Sequence, residues 1–236
     1  MPSCSCIIPF YNEGNRILWV LTELLKVEEF DEFILVNDGS SDSWSEIVKK
    51  YIENIKKVKL VEYAENHWKS YAVKTWLSKV KSDYVFFFDA DLQGVKKDEV
   101  KRVIKSLYKH PEVDTWILRR IYTKRFVRVF MTDLLLSGQR MLKTKDAQKI
   151  FEEKMSGYQM EIAINTYMYY QKKLWVRYPF SAENTFKKEK YGFLKWLKRE
   201  ALMYRNIFRY KGFIEYVKIS AWLWLKMIKS YKQLKD

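Results

Sequence analysis

Up to Tyr108, short apolar runs that end in polar loops alternate with longer stretches of helical period. Ser5 to Ile8, Phe33 to Val36, Val58 to Tyr63 and Tyr84 to Phe88 read as strands. Arg16 to Val27, Ser43 to Asn54, His67 to Val80 and Lys97 to Tyr108 read as the helices between them. Runs such as Phe33-Ile34-Leu35-Val36 are apolar on both faces, as strands covered by helices on two sides must be. The pattern therefore predicts an α/β fold with a mostly parallel sheet and helices on both faces. In such sheets ligands bind beyond the carboxyl ends of the strands, and three of those ends are polar here: Asn12-Glu13, Asn37 to Asp42, and Asp89-Ala90-Asp91. Thr115 to Leu118 reads as a further strand, after which Lys124 to Met131 and Gly157 to Tyr170 are helical in period.

Composition narrows the partners. The 236 residues are 48% hydrophobic and 31% charged with 7 Gly and 4 Pro, which excludes a disordered, fibrous or low-complexity chain. A formal charge of +15 points to an anionic partner, and an aromatic share of 17% favours a boundary apolar on one side and wet on the other. From Lys187 to Asp236 there are 14 Lys+Arg against 4 Asp+Glu, so +10 of the total lies in that tail. There Phe193 to Arg209 and Phe213 to Ile228, separated by Gly212, each repeat an aromatic face among basic residues, the pattern of helices lying on an anionic membrane surface. The alternative is that these helices pack on the core. No run reaches the ~20 apolar residues that cross a bilayer. No charged n-region and apolar h-region open the chain, and Cys4 and Cys6 share one strand face, so the expected location is the cytoplasmic face of a membrane. The predicted organisation is a catalytic domain over 1–186 and a basic helical region over 187–236.

Chemistry concentrates at Asp89-Ala90-Asp91. Two carboxylates at the mouth of an apolar strand suit a hard divalent cation, Mg²⁺ or Mn²⁺, that also binds diphosphate oxygens and acts as a Lewis acid toward a nucleotide leaving group. His67 and His110 have no ligand spacing and read as surface residues.

These residues resemble a family, the nucleotide-sugar-dependent glycosyltransferases of the GT-A fold, family 2. Cys6 to Glu13 is similar to its opening V-I-P-x-Y-N-E strand, and Ile34 to Asp42 to its V-D-D-G-S-x-D. Asn66 to Ala72 resembles N-x-G-K-G-x-A, and Phe88 to Gln93 the D-A-D-L-Q form of polyprenyl-phosphate sugar synthases. Ser137-Gly138-Gln139-Arg140 resembles S-G-x-R, and Gly157 to Ile162 the later G-[YF]-x-x-E-I. The resemblance implies a Rossmann-like GT-A catalytic domain. It implies that Pro9, Tyr11 and Glu13 line the nucleotide pocket, Asp38 meets the base and Asp89 approaches the ribose. Asp91 would bind the metal with Gln93 near it, and Arg140 would meet a phosphate of the donor or of a lipid acceptor. Lys69 has a phosphate contact or a solvated helix position as its two readings. Glu161 is either a general base toward an acceptor hydroxyl, with Asp133 a weaker candidate, or a helix carboxylate that orients Arg140 or an acceptor. Asn37 stands where the family has Asp, Trp68 and Ser70 where it has glycines, and Gly94 to Lys97 where close relatives have His-Pro-Pro.

The expected function is inverting transfer of mannose or glucose from a GDP- or UDP-linked donor to a membrane lipid acceptor, polyprenyl phosphate or a lipid-linked glycan. Inversion is implied by the resemblance. One alternative is the same transfer to a soluble or glycan hydroxyl with Glu161 as base. Another is a basic RNA-binding module, disfavoured because most of the excess charge lies outside the motif-bearing region, so no nucleic acid partner is expected.

Overall fold

The computed structural model describes residues 2–66, 69–121, 135–155, 159–184 and 193–233. Strands β1 (Cys4–Phe10), β2 (Glu32–Asp38), β3 (Val58–Tyr63) and β4 (Tyr84–Phe87) alternate with helices α1 (Arg16–Leu25), α2 (Trp44–Ile52) and α3 (Lys69–Leu77). The short β5 (Leu92–Gln93) precedes α4 (Lys97–Lys109), and β6 (Thr115–Arg120) follows it. Beyond lie β7 (Arg140–Lys143), α5 (Thr144–Ile150), α6 (Gln159–Tyr170), β8 (Trp175–Phe180), β9 (Glu183–Asn184), α7 (Phe193–Lys211) and α8 (Phe213–Gln233).

A seven-stranded sheet runs in the order β3-β2-β1-β4-β7-β6-β8, and β5 pairs with β9 in a separate two-stranded piece. Only β7 is antiparallel to its neighbours, β4 and β6. The predicted mostly parallel sheet is therefore found, with β7 and β8 as strands the apolar pattern had not shown. Alternation along β1 divides the core: Cys4, Cys6, Ile8 and Phe10 face α1 and α4 through Ile17, Leu21, Leu24, Val103 and Leu107. Ile7 faces the opposite side, where Val73 and Leu77 of α3, Ala147 and Ile150 of α5 and Ile164 of α6 gather. Burial drives both thiols on β1 to higher pKa, so they remain protonated and unreactive packing groups.

Strand order reverses between β1 and β4, which opens a crevice at the carboxyl ends of the parallel strands. The two C-terminal helices do not stand apart from this body. Met203 and Ile207 of α7 pack on Ile162 of α6, and Ile219 and Leu223 of α8 join the cluster that holds Trp175. Tyr210 Oη donates to Glu153 at 2.6 Å, Lys211 Nζ reaches the same carboxylate at 2.9 Å, and Tyr170 Oη donates to Glu215 at 2.6 Å. Core packing, the alternative reading of the tail, thus accounts for one face of each helix. The expected boundary at residue 186 falls outside the described residues, as does the helical pattern of Lys124 to Met131.

Candidate active site

At the first two polar strand ends, side chains supply partners for backbone N–H groups. After β1, Asn12 adopts a left-handed backbone with φ of 51°, a conformation Asn tolerates better than most residues. Its Oδ1 accepts from the backbone N–H groups of Ser41 at 2.8 Å and Asp42 at 3.3 Å, while its own N–H donates to Ser40 Oγ at 3.0 Å. Gly14 N–H completes the stitch with a 3.2 Å bond to Asp42 Oδ2. The loops after β1 and β2 are thereby fixed to each other, with Pro9 buried, Tyr11 44% exposed above them and Asp38 buried at the end of β2. Glu13 Oε2 accepts from Arg16 Nε at 2.9 Å. Beside Asp38, Gly39 has a φ of 73°, and a Cβ there would lie 2.5 Å from the carbonyl carbon of Glu65, so only glycine fits.

Asn37, where the family pattern has Asp, has a local explanation. Its Oδ1 accepts from Ser40 N–H at 3.0 Å and its Nδ2 donates to Glu62 Oε1 at 3.2 Å. A carboxylate could make the first bond and not the second. Ser70, in a glycine position of the pattern, is likewise occupied: its Oγ donates to the carbonyl of Met155 at 2.9 Å.

Asp89 and Asp91 follow β4, both half-buried, and Gln93 is exposed on β5. The far wall is the segment that leads into β7. Gly138 lies against the Asp89 carboxylate so closely that a Cβ would come within 2.6 Å of Oδ1 and nearer still to Oδ2, and Gln139 Nε2 donates to Asp89 Oδ2 at 2.5 Å. Arg140 sets this segment. It is wholly buried, its Nε donating to Ser137 O at 2.7 Å, Nη2 to Leu135 O at 2.8 Å and Nη1 to Asn165 Oδ1 at 2.5 Å. Asn165 returns a bond from Nδ2 to Leu135 O at 2.9 Å. Burial pushes the guanidinium pKa down to about 10, partly opposed by the charge of Glu161, so the group stays cationic at neutral pH.

The expectation that Arg140 meets a phosphate is thus not what the geometry presents. The guanidinium points into the protein and grips carbonyls of its own segment, because a buried charge must be matched by acceptors close at hand. Glu161 lies 4% exposed on the first turn of α6, where its charge partly offsets the lowering of the Arg140 pKa by burial. His110 is a surface residue as expected, with Nδ1 3.0 Å from Glu112 Oε1. Lys69 opens α3, and its side chain lies outside the described residues together with His67, Trp68, Asp133 and Gly157. Of the positioning residues, Asn12 and Gln139 lie in the sequence motifs without a role assigned to them there, and Asn165 was not singled out from sequence.

Among the described residues no three His, Cys, Asp or Glu side chains gather as a metal centre. Two neighbouring carboxylates do suit a divalent cation whose remaining positions are filled by diphosphate oxygens and water, the usual situation for Mg²⁺ and open to Mn²⁺.

Comparison with known proteins follows the same lines. The profile described as Glycosyl transferase family 2 matches residues 5–172. The dolichyl-phosphate beta-glucosyltransferase of Saccharomyces cerevisiae is 29% identical over 116 residues, covering 44% of this chain and 34% of that protein. One from Trichomonas vaginalis is 32% identical over 150 residues, covering 58% and 46%. The chain spans less than half the length of these two relatives. Among solved structures, the mannosyltransferase PcManGT from Pyrobaculum calidifontis, in complex with GDP-Man and Mn²⁺, has a TM-score of 0.69 at 18% identity, covering 93% of this chain and 68% of that one. Glucosyl-3-phosphoglycerate synthase from Mycobacterium tuberculosis, in complex with Mn²⁺, UDP and glucosyl-3-phosphoglycerate, has a TM-score of 0.63 at 16% identity, covering 78% and 72%. The architecture is the GT-A fold of these two enzymes.

Proposed function

The chain belongs to glycosyl transferase family 2, and on that premise we propose that it moves a hexose, mannose or glucose, from a GDP- or UDP-linked donor to a membrane lipid acceptor with inversion. The observation that carries this reading is the convergence of Asp89 and Asp91 with the stitched loops of Asn12 and Asp38 at the reversal of strand order. Tyr11, Pro9, Glu13 and Asp38 form the nucleoside side, and Lys69, which opens α3, is the candidate phosphate contact. Asp89, held by Gln139, lies toward the ribose. Asp91, with Gln93 nearby, holds Mg²⁺ or Mn²⁺, which when bound neutralises charge on the departing diphosphate.

Polyprenyl phosphate is favoured over a hydroxyl acceptor. A phosphate oxygen is already ionised and needs no general base, whereas a hydroxyl does. Glu161, the candidate base, is buried beside the Arg140 guanidinium, a position suited to orienting that group rather than to exchanging protons with an acceptor. The dolichyl-phosphate enzymes among the relatives support the same choice, and a lipid-linked glycan is the second acceptor of this class.

The test is transfer of labelled hexose from a panel of GDP- and UDP-sugars to a polyprenyl phosphate in detergent. Asp91→Ala is expected to lower kcat/KM at least about 10³-fold, the scale on which a group stabilising transition-state charge acts. Chelator is expected to do the same to the native enzyme. Full activity of the variant, or in chelator, overturns the metal assignment, and transfer only to soluble acceptors that carry no lipid overturns the acceptor assignment.

A further inference from the structure

Helix α8 carries two apolar stripes on opposite sides, and the fold uses one. Tyr216, Ile219 and Leu223 turn inward, and Trp222 stacks edge-on against Tyr169 with ring centroids 5.4 Å apart. With the Tyr170–Glu215 bond, these contacts fix the helix about its axis. The residues left outward, Phe213, Ile214, Val217, Trp224 and Leu225, recur at the spacing of a single helical face. They are 61%, 82%, 48%, 49% and 58% exposed. Isolated exposed hydrophobics need no explanation, but a row of five along one helix does.

Sequence periodicity pointed to an aromatic face on each tail helix for a membrane. In α7, Met203 and Ile207 are instead enclosed against α6, so among the described side chains the longest free apolar row of the tail is the second stripe of α8. Lys218 borders that stripe and is itself exposed, and Lys226, Lys229 and Lys232 continue the helix, within a tail of net charge +10. An apolar row beside Lys218 and within a basic tail is complementary to a surface that is negative at the headgroups and apolar below them. Among the described residues no helix is long and apolar enough to cross a membrane, so the complement is a helix lying in the interface.

A second copy of the chain is a poorer occupant on two counts. Two-fold pairing would bring equally basic tails together, which is repulsive. A single helix face about 30 Å long and ~10 Å wide also offers on the order of 300 Å², well short of the ~800 Å² per partner of a stable complex.

From this we infer that the outward face of α8, centred on Ile214, Val217 and Trp224, docks on an anionic lipid bilayer. The inference deepens the lipid-acceptor reading by naming the surface from which acceptor is taken, and it stands on observations separate from the active site.

The full chain is sedimented with phosphatidylcholine vesicles and with vesicles that also contain phosphatidylserine. Binding is expected to the second kind, and to weaken between about 0.1 M and about 1 M salt as screening shortens. The double variant Ile214→Ser, Trp224→Ser replaces two exposed side chains, is expected to keep its helical circular dichroism, and is expected to lose about a hundredfold or more in partitioning. Lys226→Gln, Lys229→Gln, Lys232→Gln is expected to retain weaker binding that salt affects less. Absence of vesicle binding by the native chain overturns the inference, as does equal binding by the double variant. A dimer in ultracentrifugation that the double variant dissolves, with no vesicle binding, assigns the face to a second copy and overturns it too. Transfer to a detergent-presented lipid phosphate without vesicle binding leaves the enzymatic reading intact, and vesicle binding without transfer does the reverse.

Discussion

Two polar clusters flank the end of β4, and they are built on opposite principles. On the β1–β2 side, neutral groups of Asn12, Asn37 and Ser40, with the Asp42 carboxylate, satisfy backbone donors in partly exposed loops. On the β7 side, one guanidinium with no exposed surface holds two carbonyls and the Asn165 amide. The first cluster is a set of small, separable bonds that water can partly replace. The second is a single charged group whose partners have no other donor of equal strength, so its parts stand or fall together. The wall that touches Asp89 is held by the less forgiving of the two.

Breaking that asymmetry starts with the largest effect. Arg140→Ala leaves the carbonyls of Leu135 and Ser137, and the Glu161 carboxylate, without their buried cation, and about 3–5 kcal/mol of unfolding free energy is expected to go in urea titrations. Loss of less than about 1 kcal/mol would mean that the guanidinium is a passenger. Asn37→Asp is a smaller perturbation that converts a neutral bond into a carboxylate pair with Glu62, already bound to Lys49 at 2.9 Å. It is expected to cost about 1–2 kcal/mol at pH 7, because a like charge opposes ionisation in the folded state only. Protonation relieves the pair, so the deficit relative to the native chain should shrink as pH falls toward 4, and a constant deficit across that range would contradict the charge argument. Asn12→Ala sharpens the comparison from the weaker side. About 1 kcal/mol is expected from its lost loop bonds, with a raised KM for donor and little change in kcat, since the nucleoside is held alike in ground and transition states. An effect as large as that of Arg140→Ala would erase the distinction between the clusters.

Much of this was legible before the structure, for reasons that differ by residue. Phe33 to Val36 and Tyr84 to Phe88 announced themselves because a strand covered on both sides must be apolar at every position. The helices between them were found to within a few residues, apolar periodicity being strongest in their middles. Strand β7 was not legible as a strand: four residues beginning with a buried arginine resemble a loop, and its pairing with β4 joins segments more than fifty residues apart. For the same reason Arg140 was recognisable as part of a motif while its direction was not. Whether a guanidinium faces a ligand or its own carbonyls depends on Leu135 and Asn165, which periodicity does not connect. On α8, reading one apolar face hid the second, because a hydrophobic pattern shows that a face is apolar and not which neighbour covers it.

Strand β7, antiparallel within the seven-stranded sheet, bears on how the protein is made. Synthesis delivers β1 to β4 first, and β4, whose Tyr84-Val85-Phe86-Phe87 is buried throughout, then lies at the margin of the growing sheet with a row of unpaired backbone groups. It keeps that open side until Arg140 to Lys143 emerges and inserts between β4 and β6. At ~5–20 residues per second this interval lasts seconds, long enough for another chain to pair there instead. The step that seats Gly138 against Asp89 is therefore also the step that closes the nascent chain against aggregation.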